Sequence, residues 1–190
     1  RTVLTELRKM DRPVRRVMLA GGGRIGMRLA KRLAERRIDV RIIEPIASRC
    51  EQLAAELPPE VLVLHGDATD EDLLDEESVD EMDLFCALTS DDEDNIMSSL
   101  LAKKMGARRV IALINRRAYA DLVEGGRIDI AIVPAQATIG ELLAHVRRGD
   151  VAAVHSLRRG AAEALEAVAH GDPRSSKVVG RRIEQIDLPK

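Results

Sequence analysis

Aromatic residues are almost missing from this chain: its 190 residues include no tryptophan, one phenylalanine (Phe85) and one tyrosine (Tyr119). Any core must therefore be aliphatic, and there is no aromatic platform on which nucleic-acid bases could stack. A basic excess is also missing, with 30 Lys and Arg against 32 Asp and Glu and a net charge of −2. The electrostatic footprint of a nucleic-acid partner is thus absent. No apolar run approaches the ~18 residues needed to span a bilayer, and no signal-peptide pattern opens the chain. The expectation is a soluble protein without a membrane span, with docking onto a membrane protein left open. Cysteine is scarce: Cys50 and Cys86 form no CxxC, which argues against a disulfide framework or a zinc site and reads as two buried spectators in a reducing compartment. The histidines His65, His145, His155 and His170 show no HxxxH spacing, so no metal is expected.

What is present is an alternation. Short apolar runs at 17–20, 40–43, 61–64, 84–88, 110–114 and 130–133 read as buried parallel strands, without the period-2 polarity of a one-sided sheet. Between them lie helical patterns at 25–36, 47–57, 70–77, 92–105 and 118–124, and Pro134 opens a last helix running to about Arg148. The helix at 92–105 carries Asp91 or Asp92 as its cap and Gly106 at its end. Six strands alternating with helices predict an α/β doubly wound parallel sheet. After Gly149 the texture changes. Residues 151–157 are β-like, 161–169 fit either element type, 170–177 read as a turn-rich link, and 178–188 suggest a short strand and turn. These residues are few for a domain, and the chain opens inside an amphipathic segment, so a piece of a longer protein is expected.

The chemistry lies in Gly21-Gly22-Gly23-Arg24-Ile25-Gly26, a G-x-G-x-x-G turn that follows a predicted strand and opens a predicted helix. Gly21 permits the tight turn, Gly23 lets a pyrophosphate approach the backbone, and Gly26 lets the helix pack on the strand. The unpaired N–H groups and the dipole at the helix start favour the phosphates. Glu44, 18 residues after Gly26, ends the second strand, where a carboxylate accepts from both ribose hydroxyls and repels a 2′-phosphate. That favours NAD over NADP, although Arg41 and Arg49 stand close by. Gly66-Asp67-Ala68-Thr69, Thr89-Ser90-Asp91 with Asn95, and Asn115-Arg116 follow the third, fourth and fifth strands. Ligands of open α/β sheets bind at those strand ends.

A catalytic half is not evident. Val123 stands where a Tyr-x-x-x-Lys pair starting at Tyr119 would need lysine, and there is no G-x-S-x-G and no Cys–His arrangement at a strand end. A nucleotide sensor fits better than an oxidoreductase whose catalytic part lies elsewhere, or than a scaffold with a vacant site.

The segments Val17–Gly26, Leu64–Asp70, Ala87–Met97, Ala112–Arg116 and Val151–Leu165 together resemble the TrkA family, cytoplasmic regulatory subunits of Trk-type potassium uptake systems. The match lies with the second of that family's two RCK (regulator of potassium conductance) repeats. The resemblance implies a linker from a preceding repeat at 1–13, a Rossmann nucleotide-binding domain at 14–134, a crossover helix at 135–150, and a partial, small α+β C-terminal subdomain at 151–190. It implies dimers that build into a ring under a membrane potassium transporter, and it implies binding of NAD(H), ATP or ADP without turnover. Carried over by position, Gly21, Gly22, Gly23, Arg24, Ile25 and Gly26 match the phosphate turn, and Glu44 the ribose acid with Arg49 beside it. Asp67, Ala68 and Thr69 match the adenine side, and Thr89, Ser90 and Asn95 the far side of the cleft. Pro45-Ile46, Leu113 and Ala135 depart from residues some relatives use for polar, phosphate or metal contacts. The resemblance therefore implies neither ATP-specific nor metal-assisted binding.

Overall fold

The computed structural model describes residues 13–123, 125–146, 151–157, 162–172 and 174–186. The chain divides between Pro134 and Ala135 into two compact units. The first is built on six strands, β1 (Arg16–Ala20), β2 (Asp39–Glu44), β3 (Val61–His65), β4 (Leu84–Ala87), β5 (Val110–Leu113) and β6 (Ile130–Ile132). Five helices join them: α1 (Arg24–Ala34), α2 (Ala47–Glu56), α3 (Glu71–Glu76), α4 (Asp92–Met105) and α5 (Arg117–Val123). Every pairing is parallel, in the order β3-β2-β1-β4-β5-β6.

The continuous apolar runs form strands because both faces of the sheet are covered. On β1 the side chains alternate. Met18 and Ala20 join Ile43, Phe85, Ala87, Ala102, Val110 and Ile114 on one face, whereas Val17 and Leu19 join Ala30, Val40, Ile42, Leu53 and Leu113 on the other. The only phenylalanine is fully buried in the first cluster, and the rest of both clusters is chiefly aliphatic, as the composition requires. Burial pushes the Cys86 thiol up to about 12. Cys50 is only half-buried and donates to the Glu44 carbonyl at 3.3 Å, so it is not the fully buried residue expected.

Helix ends follow local chemistry. Asp91 caps α4 by accepting from the Asp94 N–H at 3.0 Å, and Asp70 caps α3 through the amides of Asp72 and Leu73. Pro58 and Pro59 follow the end of α2.

What matters for function is the carboxyl end of the sheet. Ala20 of β1 pairs with Ile43 of β2 and Ala87 of β4, so these strands end at one level. The chain passes from β1 to one neighbour and later returns to the other. The crevice between the β1 and β4 ends is thus the topological switch point.

The second unit holds α6 (Pro134–Val146, opening at the boundary residue) and an antiparallel pair, β7 (Val151–Leu157) and β8 (Ala162–Ala167). The segment of ambiguous type at 161–169 is thereby a strand. The short strand expected within 178–188 is not formed among the described residues. A turn and a single 3-10 turn at Ile183–Gln185 stand there, with the Ser176 hydroxyl accepting from the Val178 and Val179 amides and the Gln185 side-chain oxygen from the Arg182 amide. Residues 1–12, 147–150 and 187–190 lie outside the described residues, and with them the expected linker and the end of the last helix.

Candidate functional site at the carboxyl end of the sheet

Gly21 continues the β1 ladder, donating to the Ile43 carbonyl at 2.8 Å, then turns the chain at φ +102°. A Cβ there would lie 3.0 Å from the Thr89 nitrogen, so the glycine also allows the β4 loop to close in. Gly23 caps α1 with extended backbone, and a Cβ on it would meet nothing within 4 Å. A Cβ on Gly26 would sit 2.0 Å from the Gly21 carbonyl oxygen, so helix and turn touch there through backbone alone.

Glu44 is 7% exposed. Its Oε2 accepts from the Gly22 N–H at 2.8 Å and its Oε1 from the Ile46 N–H at 3.2 Å. An ionised carboxylate has about four acceptor sites, so each oxygen retains capacity for a further donor. Arg49, on the first turn of α2, donates from Nε to the Gly22 carbonyl at 3.0 Å and from Nη1 to Gln52 at 3.0 Å. Arg41 is instead paired with Glu77 at 3.0 Å and does not face this region.

These groups surround a cleft of about 430 Å³ lined by Gly21, Gly23, Glu44 and Arg49 on one side and Thr89, Ser90, Asp91 and Asp94 on the other. A smaller hollow of about 70 Å³ is lined by Asp67, Ala68 and Thr69 and shares Gly21, Pro45, Thr89 and Asp94 with the cleft. Asp67 accepts from the Thr69 amide at 2.8 Å and hydroxyl at 2.7 Å, and these bonds hold its carboxyl below the usual range. Burial, then the charges of Asp91, Asp67 and Glu93, push the Asp94 carboxyl up. Arg49 and Glu44 thus stand on one side of the cleft and the carboxyls of Asp91 and Asp94 on the other.

Other expected residues sit differently. Asn95 is fully buried, with all its polar capacity used inside the protein. Its Oδ1 accepts from the Thr89 amide at 2.9 Å and the Thr89 hydroxyl at 2.8 Å, while Nδ2 donates to the carbonyls of Thr89 at 3.1 Å and Leu113 at 2.8 Å. It does not line the cleft but ties the cleft wall to β5. Gly22 is buried with its amide committed to Glu44, and a Cβ on it would come within 2.2 Å of Leu53 Cδ1. Arg24 and Ile25 are exposed at the start of α1 and outside the lining, as is buried Gly26.

Asp92 does comparable work next door, accepting from the Asn115 and Arg116 amides at 2.8 Å each. Burial raises its carboxyl, but those amides and the Asn115 side chain outweigh burial and hold it below the usual range. Asp91 lines the cleft as expected with Thr89 and Ser90, whereas Pro45, Ile46 and Asp94 line it without having been singled out as ligand contacts. Only their place beside strand ends signals them. Among the described residues no group of three or more His, Cys, Asp or Glu is placed to hold a metal ion, and no helix is long and apolar enough to cross a membrane. Chemically, the arrangement offers amide donors and a cation for phosphate oxygens, and a carboxylate acceptor one strand away for sugar hydroxyls.

The TrkA-N domain model matches residues 17–134. The chain is 62% identical over its whole length to the Trk system potassium uptake protein TrkA of Halomonas elongata, of which it spans 41%. Among solved structures, the TrkA-N domain of the inner membrane protein ybaL from Escherichia coli superposes with a TM-score of 0.63 at 14% identity, covering 72% of this chain and 100% of that one. The GsuK channel bound to NAD gives 0.60 at 18% identity, covering 82% of this chain and 29% of that one. GsuK bound to ADP gives 0.59 at 18% identity, covering 75% and 39%.

Proposed function

The chain belongs to the TrkA-N domain family, and we propose that it is a nucleotide-sensing module of a potassium uptake system, binding NAD(H), or ATP or ADP, in the cleft at the β1–β4 crevice. The observation that carries this reading is the buried Glu44 carboxylate, held by two backbone amides with spare acceptor capacity beside an open Gly23. The diphosphate lies against Gly21 and Gly23 and the first amides of α1, near Arg24 and Ile25. Gly22 and Gly26 shape that turn from behind. Glu44 takes the adenosine ribose hydroxyls, Asp67, Ala68 and Thr69 border the adenine, and Thr89 and Ser90 close the far wall, held by Asn95. GsuK, a fold neighbour, binds NAD and ADP, which supports the ligand class.

Residues 14–134 form the nucleotide domain, 135–150 the crossover helix, 151–190 the C-terminal subdomain, and 1–13 a linker from a preceding repeat. The module works in the cytoplasm as part of a ring-forming oligomer on a membrane transporter. It is regulatory rather than catalytic. Nucleotides that bind its conformations with different affinities shift the transporter's open population, and tight binding by itself shifts nothing.

The test is a thermal-shift panel of NAD, NADH, NADP, ATP, ADP and AMP. A ligand at ~100 times its dissociation constant adds ~2.7 kcal/mol of stability. Stabilisation by NAD and by an adenine diphosphate, with NADP weaker and no loss of NADH absorbance over time, is the expected result. No shift with any of the six overturns the reading.

A further inference from the structure

Gly22 is gripped on both polar groups. Its N–H donates to Glu44 Oε2 at 2.8 Å and its carbonyl accepts from Arg49 Nε at 3.0 Å. The second bond has a consequence for the next residue. In a trans peptide the carbonyl of one residue and the N–H of the next point in opposite directions, and no peptide bond in the chain is cis. Holding the Gly22 carbonyl toward Arg49 therefore aims the Gly23 N–H away from it. Among the described residues no acceptor faces that N–H, and Gly23 lines the cleft.

This peptide joins two glycines, and among the described residues the bond from Arg49 is the one that holds it. Flipping it would carry Gly23 from φ −65° to a positive φ, which costs a non-glycine residue much and glycine little. Side-chain sterics do not select between the two orientations, but a hydrogen bond can.

We propose that Arg49 is a positioning residue: its Nε–H locks the Gly22–Gly23 peptide plane so that the Gly23 amide stays aimed for a phosphate oxygen. The part concerning phosphate rests on the functional reading above, whereas the lock itself does not. Arg49 thereby acts through its hydrogen bond to the turn, and its charge is secondary. The remaining guanidinium contacts, Gln52 at 3.0 Å and the Met27 sulfur at 3.9 Å, fix the side chain along α1 and α2 and leave Nε on the carbonyl.

Two substitutions separate the lock from the charge. In glutamine the amide nitrogen hangs from Cδ, as Nε does in arginine, so Arg49→Gln keeps a donor at that place without the charge. Arg49→Met puts a methyl group there and keeps neither. The lock predicts that Arg49→Gln binds ADP within about threefold of the unaltered chain, while Arg49→Met binds it about tenfold or more weakly. Adenosine, which has no phosphate, is affected by neither.

In the nucleotide-free chain, nitrogen relaxation dispersion should show new exchange at the Gly23 amide in Arg49→Met only. Equal ADP losses in the two variants would make the charge the operative feature and overturn the proposal, as would an unchanged Gly23 amide in Arg49→Met. If the unaltered chain bound no nucleotide, the functional reading would fall while the relaxation experiment still decided the lock.

Discussion

Replacing Gly26 with alanine should lower the melting temperature by roughly 4–8 °C, corresponding to about 2 kcal/mol of lost stability. The added Cβ would lie 2.0 Å from the Gly21 carbonyl oxygen and 3.2 Å from its carbon. Neither neighbour is a side chain that can turn aside. The first turn of α1 would have to lift off the end of β1, loosening the packing of Ala30 and its neighbours on that face of the sheet. Alanine's better helix propensity returns only about 1 kcal/mol.

Gly23→Ala gives the opposite pattern. At φ −65° and ψ −173°, with open space where the Cβ would go, the fold accepts alanine with a loss of a few tenths of a kcal/mol to about 1. The new methyl group would, however, occupy the approach to the turn, and NAD affinity should fall at least about tenfold. Thermal melts and calorimetry on the two variants check the pair. A Gly26→Ala chain as stable as the original would mean that the tight helix–turn contact is not a constraint.

The second large effect is expected at Glu44. Glu44→Ala removes the acceptor of the Gly22 and Ile46 amides and should cost about 1–3 kcal/mol of stability. Glu44→Gln keeps a carbonyl oxygen for one of them and is the cleaner variant. It loses charge-assisted bonds to the ribose worth about 1.5–3 kcal/mol, hence roughly 10- to 100-fold in NAD affinity. The sharper signature is selectivity. With the carboxylate gone, nothing at the end of β2 repels a 2′-phosphate, and Arg49 stands close by. NADP should therefore lose much less than NAD, or gain, so that the ratio of the two affinities collapses. A stability defect alone would weaken both ligands together. Calorimetric titration of each dinucleotide into each variant separates these outcomes, and an unchanged ratio would remove Glu44 from the sugar site.

Most of the sheet was legible in the sequence because its signals are local. Apolar runs with both faces buried mark β1 to β6, and α4 runs from Asp92 to Met105 as its cap and terminal glycine indicate. The turn Gly21–Gly26 and Glu44 fell at the expected strand ends for the same reason. Less legible was whatever depends on rotation about a helix or on contacts distant in sequence. Asn95 follows Asp92 by three residues, so both face the sheet. There they bond to backbone on β5 and just beyond it, 18 to 24 residues away. Periodicity carries no sign of such bonds, so Asn95 reads as a wall residue when it is a brace. Gly22 and Arg49 are similar: a motif places the glycines, but the guanidinium that holds the Gly22 carbonyl comes from a residue 27 positions away. In the second unit, Ala162–Ala167 pairs with β7, and the pairing rather than the local pattern settles its type.

The central claim is that one cleft holds a diphosphate on the glycine turn and a ribose on Glu44. A crystal structure of the chain grown with NAD tests it most directly. The account predicts a diphosphate against Gly23 and the start of α1, with both adenosine ribose hydroxyls within about 3.2 Å of the Glu44 oxygens. A dinucleotide seated elsewhere, with Glu44 still bonded only to Gly22 and Ile46, would contradict it.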